Sequence, residues 1–327
     1  MDDRFLKDAR QDPRPEFARD LRERLRAQET AHEAHRASRP RFSPVFAAAF
    51  AVLAVVGLFS IPAVRVSAQA FLDLFRVQNF AAVKVDPARL AQLRNTQMSV
   101  EAILGKPEVV QEPGPLRVYT NARDAAVATG YPVREVTGVA GVTADTTFVR
   151  GESRGRLRVD TVSLRTLLSA LAIDDVTIPP GIDGAEVNVH LRPVARTVYL
   201  KDKARISFLQ SPSPELSLPA GIDVAQLGEI GLRIAGLAAP EAKRFAQSID
   251  WHSTMLVPVP ANASSFREVD IHGRKGLMIA IAGRKDEKGV QQDAVTQLLW
   301  SDGERVYALV GRKASDVTLL QMANAVQ

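Results

Sequence analysis

No cysteine occurs anywhere in the 327 residues. Disulfide staples, thiolate nucleophiles and zinc sites of the cysteine type are excluded, while the compartment stays open, since many exported proteins do without thiols. An excess of one charge is also missing once the chain is divided. Residues 1–41 carry 11 Lys/Arg against 9 Asp/Glu, and the chain beyond Arg65 carries 30 against 28. Such balance gives no reason to expect nucleic acid as a partner. Neither G-x-x-x-x-G-K nor G-x-G-x-x-G is present, so the common phosphate-cradling loops are absent and no motif asks for a cofactor.

A third absence is positional. Between Arg41 and Arg65 there is no charged residue, which leaves an apolar run at 42–64 of 23 residues. As a helix it would extend about 34 Å, enough for a hydrocarbon core of about 30 Å. Pro44 and Pro62 sit at its two ends, and no polar stripe runs along it, as a surface helix of a globular protein would require. Arg24, Arg26, Arg36, Arg39 and Arg41 precede the run, against Arg65 and Arg76 after it. The expectation is a single-pass membrane anchor with a cytoplasmic N-terminus and an extracytoplasmic C-terminal region. Its rival is a signal peptide cut after Ala70, because Ala68-Gln69-Ala70 resembles a cleavage site. A 41-residue leader and an apolar run longer than the usual 7 to 15 residues favour the uncleaved anchor.

Within the charged tail, Pro15 suits the first turn of a short amphipathic helix on which Phe17, Leu21 and Leu25 recur every four residues. So narrow an apolar seam does not fold alone, and a cytoplasmic regulatory protein docking on Phe17, Leu21 and Leu25 is one way to cover it. His32 and His35 are three apart where a helical zinc pair needs four, so no metal site is read there.

The outer region divides into a juxtamembrane segment (65–80), an α+β region (81–209), a Pro/Ser loop (210–219) and a C-terminal α+β region (220–327), forming one or two subdomains. Helical patterns occupy 86–95, 99–104, 121–129, 163–172, 224–235 and 315–326, the last with Ser315 as cap and Val317, Leu320 and Ala323 toward a sheet. Alternating runs at 146–150, 156–160, 185–191, 194–200, 204–209, 266–271, 275–282, 295–300 and 305–310 read as strands. The run at 194–200 can pair with either 185–191 or 204–209. The fold class is therefore α+β, a single transmembrane helix followed by a largely antiparallel sheet packed with helices. The echo of "IPPGID" (178–183) in "LPAGID" (218–223) reads as shared turn chemistry, since different elements follow the two copies.

Catalytic motifs are sparse. Gly151-Glu152-Ser153-Arg154-Gly155 matches G-x-S-x-G, with His190, His252 and His272 downstream. A nucleophile elbow needs a strand, a sharp turn and a helix, whereas strand-like runs lie on both sides here, so a hairpin turn is expected. Asp174-Asp175 reads as a solvated pair at a helix end. The chain is therefore read as a non-enzyme.

The order of "PEFARDLRERL", one spanning run, "VSAQAFLDLFRVQNF", "APEAKRFAQSIDWHSTMLVPVP", "FREVDIHGRKGLMI" and "LLWSDGERVYALVG" resembles a family of bacterial single-pass membrane proteins. These are described as uncharacterised or anti-sigma-factor-like, with an extracytoplasmic α+β domain. The terminal hairpin and helix are similar to the last elements of sporulation-related and lipoprotein-carrier-like domains. The resemblance implies a fold and a location, with no site residues to transfer. The tail lacks the histidine and cysteine spacing of zinc-type anti-sigma domains. Two functional readings follow, a membrane-anchored sensor or regulator and an extracytoplasmic ligand- or lipid-binding carrier.

Overall fold

The computed structural model describes residues 77–95, 108–219, 221–260, 263–283 and 291–327. The charged tail with Phe17, Leu21 and Leu25, the apolar run and the helix expected at 99–104 lie outside the described residues. Among those residues no helix is long and apolar enough to cross a membrane. The first elements are β1 (Asn79–Lys84), α1 (Pro87–Asn95), β2 (Glu108–Gln111), β3 (Arg117–Tyr119), α2 (Ala122–Thr129) and β4 (Thr143–Arg150). Then come β5 (Ser153–Arg158), α3 (Thr161–Ala170), β6 (Glu186–Leu191), β7 (Val194–Lys201), β8 (Ala204–Pro212) and β9 (Glu215–Ser217). The rest are α4 (Val224–Ile234), α5 (Ala239–Ser248), β10 (Thr254–Val259), β11 (Ala263–Ile271), β12 (Arg274–Ile281), β13 (Val295–Ser301), β14 (Arg305–Arg312) and α6 (Asp316–Ala323).

The class is α+β with mostly antiparallel sheets. An eight-stranded sheet runs β11-β12-β13-β14-β8-β7-β4-β3, a four-stranded sheet runs β2-β5-β6-β9, and β1 pairs with β10 as a parallel ribbon. The four-stranded sheet continues into half of the larger one. Strand β2 leads to β3, β4 to β5, β6 to β7 and β8 to β9, and the lateral order is the same on both sides. Four strands thus change sheets at one corner, as strands do where two sheets share their chain. Pro113, Pro115, Gly151, Pro193 and Pro214 occupy the breaks, and proline, having no N–H, cannot continue a ladder. Gly151 is required for packing, because a Cβ there would lie 2.7 Å from the Pro113 carbonyl oxygen.

This corner corrects two expectations and decides a third. The "GESRG" stretch is not a hairpin turn, since β4 and β5 belong to different sheets and Ser153 already lies in β5. The Pro/Ser stretch at 210–219 is not a dividing loop. Its first residues end β8 and Glu215–Ser217 form β9, while β8 also pairs with β14 of the C-terminal half. Of the two partners open to the run at 194–200, the structure takes 204–209, since β7 pairs with β8 and, on its other side, with β4. Local composition marked the chain breaks correctly, but whether two strands meet across a break is decided by tertiary pairing.

The C-terminal half, β11 to β14, is a meander. His272 and Gly273 take positive φ values of 53° and 74° between β11 and β12, as a two-residue hairpin turn requires. In the next hairpin Asp302 Oδ1 accepts the Glu304 and Arg305 N–H groups at 3.0 and 2.8 Å. One face of the large sheet carries Phe208, Trp300 and Tyr307 in a stack with centroids 5.2 to 6.0 Å apart. Against it pack Leu319, Met322 and Ala323 of α6, all fully buried. Val317, expected on that stripe, is 63% exposed. The alternative stripe at the same helical spacing buries the larger Leu319 and Met322 instead.

On the opposite face the ribbon covers β12, with Phe80, Ala82, Val257 and Val259 against Leu277 and Ile279. Its other side, through Ala81, Val83 and Leu256, joins α3, α4, α5 and the inner face of the four-stranded sheet. The echoed turns are one device used twice. Gly181 and Gly221 adopt positive φ, Ile182 and Ile222 are buried, and each aspartate serves a helix start. Asp223 accepts the Gln226 N–H at 3.1 Å to cap α4, and Asp183 accepts the Thr161 N–H at 3.0 Å at the start of α3.

The α4–α5 contact rests on Gly228. The indole of Trp251 lies over it and donates Nε1–H to the Ala246 carbonyl at 2.7 Å, so a Cβ on residue 228 would fall 2.1 Å from the ring. Gly228→Ala should therefore destabilise the domain by about 1–3 kcal/mol through overpacking. A lower denaturant midpoint with unchanged slope is the expected result.

Candidate functional site

Strands that leave a ladder orphan backbone groups, and every buried one needs a partner. At the corner that partner is Tyr131, in the segment after α2. Its hydroxyl lies 2.8 Å from the Gln210 carbonyl and 3.0 Å from the Pro193 carbonyl as donor, and accepts the Ala195 N–H at 3.2 Å. Burial pushes its pKa up to about 12. Gln210, 1% exposed, adds a two-way bond with the Arg134 backbone, 2.8 Å in each direction. Tyr307 is likewise raised to about 12, first by burial and then by its 2.7 Å bond to Asp302.

Beside this pin lies a cleft of about 400 Å³. Loop 112–116 forms one wall, with Gln111 and Arg117 at its ends, and Gly151, Glu152, Val149, Ala128 and Pro193 form the others. Val109, Val110, Leu116, Val118 and Val127 are exposed on β2, loop 112–116, β3 and α2, so the neighbourhood of the cleft is unusually apolar at its surface. Glu152 is the acidic group held at the cleft by other side chains. Gln111 Nε2 donates to it at 3.0 Å, and His190 Nε2 stands 3.1 Å away. The other imidazole nitrogen, Nδ1, is 2.9 Å from Glu215 Oε2. Gln111, Arg154, His190 and Glu215 are successive register partners across β2, β5, β6 and β9. One row of side chains therefore ties the whole small sheet to the cleft wall. The Gln111 bond, followed by that of His190, holds the Glu152 carboxyl below the usual glutamate range.

The other sequence candidates are placed apart. Ser153 neighbours Glu152 on β5, but no helix follows it, and the His190 ring is occupied by two carboxylates. His252 sits after Trp251 with its N–H on Asp250, and His272 is exposed in the β11–β12 turn. Asp175 is paired with Arg233 at 2.6 Å and fastens α4 to the loop after α3. Among the described residues no group of three or more potential ligands could hold a metal ion. Alternation had placed His190 on the polar face of β6. What it lacked was the partner strands, since Glu215 lies in a stretch read as loop and Gln111 follows residues given no strand.

Compared with protein-family models, curated proteins and solved structures, the chain matches none.

Two outcomes test the corner. Tyr131→Phe keeps the ring but leaves the Ala195 N–H and two carbonyls without the hydroxyl, which should cost about 1–3 kcal/mol in urea denaturation. Glu152 has a depressed folded pKa, so its contribution is present above its unfolded value and lost as pH falls through the folded one. Thermal midpoints followed downward from neutral pH should therefore drop less steeply for Glu152→Gln than for the parent chain.

Proposed function

We propose that this chain is a membrane-anchored extracytoplasmic sensor or regulatory protein, anti-sigma-factor-like in organisation. Residues 42–64 are its single-pass anchor, and the tail offers Phe17, Leu21 and Leu25 to a cytoplasmic regulatory protein. The α+β domain lies outside, and the corner cleft with its apolar surroundings is the surface offered to an extracytoplasmic ligand.

The observation that supports this reading best is the position of β1. It is the first described strand after the uncharged run, and it is packed between two cores instead of lying at the surface. Phe80 touches both cores, Ala82 faces the large sheet, and Ala81 and Val83 face the helices. Val77, fully buried, donates its N–H to Ser213 Oγ at 3.2 Å, at the β8–β9 break of the corner. A ligand that shifts the corner thus acts on the stretch nearest the proposed anchor. Such an arrangement suits transmission along the chain better than a carrier whose anchor is only a tether.

The test uses a C-terminally tagged copy recovered from membranes. The expected intact mass is that of the 35.6 kDa chain plus its tag. A product beginning at Phe71 would remove the tail and favour the released carrier. With the tail retained, Leu21→Asp together with Leu25→Asp should abolish co-purification of the cytoplasmic partner while leaving the thermal midpoint of the outer domain unchanged. An unaltered co-purification profile would sink the regulatory role of the seam.

A further inference from the structure

The imidazole of His190 stands between two carboxylates. Its Nε2 is 3.1 Å from Glu152 Oε2 and its Nδ1 is 2.9 Å from Glu215 Oε2. A carboxylate oxygen can only accept, so both contacts are hydrogen bonds only when both ring nitrogens carry a proton. The neutral ring has one N–H and one lone pair. Its bare nitrogen would then face a negative oxygen at hydrogen-bond distance with no proton between them.

The charged groups around the ring come from β5, β9 and the residues flanking β5 and β6. Arg154 of β5 is the register partner of His190 and reaches Glu152 Oε1 at 3.8 Å. Arg192, just after β6, lies 3.6 Å from Glu215 Oε1. From β2 the row supplies only the neutral Gln111, and the next row holds Glu108, Arg156 and Glu186, which answer one another.

The two carboxylates are held unequally. Glu152 also accepts from Gln111 at 3.0 Å, and that bond, followed by the one from His190, keeps it ionised wherever an imidazole titrates. Glu215 is more exposed, 53% against 34% for the Glu152 side chain. Its strand, β9, is an edge that pairs with β6 only from His190 opposite Glu215 to Asn188 opposite Ser217.

We infer that His190 is a pH-sensitive switch that fastens the edge strand β9 to the wall of the corner cleft. Protonated, the ring joins Glu152 to Glu215 and completes the row across the small sheet. Neutral, it keeps its Nε2–H on the better-held Glu152 and turns a lone pair toward Glu215, which swings into solvent and frees its end of β9. The tie is therefore made in acid and lost as the ring gives up its proton. Ser213, two residues before Glu215, holds the Val77 N–H, so the release occurs beside the stretch nearest the proposed anchor. The switch is a property of the domain, and only its use as a signalling stimulus rests on the sensor reading.

Hydrogen exchange of the full chain in neutral detergent tests it. Corrected for intrinsic exchange chemistry, residues 215–217 should be about fivefold better protected at about pH 5.5 than at about pH 8. His190→Gln, which does not titrate, should abolish that difference. Glu215→Gln should keep the protection at both pH values, because its amide can accept from an N–H or donate to the bare Nδ1. In 15N-histidine spectra, one ring absent from His190→Gln should carry two N–H groups in acid and the Nε2–H tautomer above its titration. Equal protection of the parent at both pH values, or variants that retain the parent's pH dependence, would overturn the switch, and an Nδ1–H tautomer would overturn Glu215 as the released end. The intact mass of the tagged chain decides the anchor separately, since a cleaved product leaves the switch standing and a flat exchange profile leaves the anchor standing.

Discussion

The structure depends on one constraint: four adjacent strands give up one ladder and take up another at the same place. Each transfer leaves amides and carbonyls that water cannot reach equally well, and the molecule meets that need with few side chains. A single phenol serves three backbone groups, and one buried amide imitates a stretch of strand pairing. The prolines at the breaks contribute differently, by removing donors that would otherwise need a partner. The cleft exists because the chain cannot be packed as closely at a break as inside a sheet.

Much of this was legible in the sequence, and the limits are physical. Strands β6, β7, β8 and β11 to β14 follow from alternation, and Ser315 caps α6 as expected of a short polar side chain; Asn121 and Asp223, which were not read as caps, do the same for α2 and α4. Pro or Gly stands at every break of the corner, though the break between β2 and β3 went unread because neither strand shows alternation. The partner across each break was not legible, because a turn into a hairpin and a turn into another sheet use the same residues. The same limit hid the site. Glu152, His190 and Glu215 lie far apart along the chain and come together only through the register of β5, β6 and β9. The stripe of α6 was ambiguous for a different reason, since two faces at helical spacing were both apolar and only the sheet's shape selects between them.

Charge in this domain is organised by surface. On the outer face of the small sheet, acids and arginines alternate across strands, as Glu108, Arg156 and Glu186 do, so each is neutralised by a neighbour. On the ribbon side of the large sheet Glu268 pairs with Lys275 at the β11–β12 end, while Arg205 and Arg312 stand opposite each other on β8 and β14. Exposed pairs such as Arg156 with Glu108 contribute little to stability. Their consequence is to leave that face without a net field.

The ribbon has a mechanical consequence. Strand β1 pairs with β10 in parallel, from Asn79 opposite Thr254 to Lys84 opposite Val259. Tension applied to the chain ahead of Val77 is directed along β1. It loads the ladder in shear, so its hydrogen bonds must yield together and cannot open one at a time like a zipper. The two cores that clamp β1 resist the same displacement. A domain built this way would bear force at its N-terminal side without first surrendering its outermost strand.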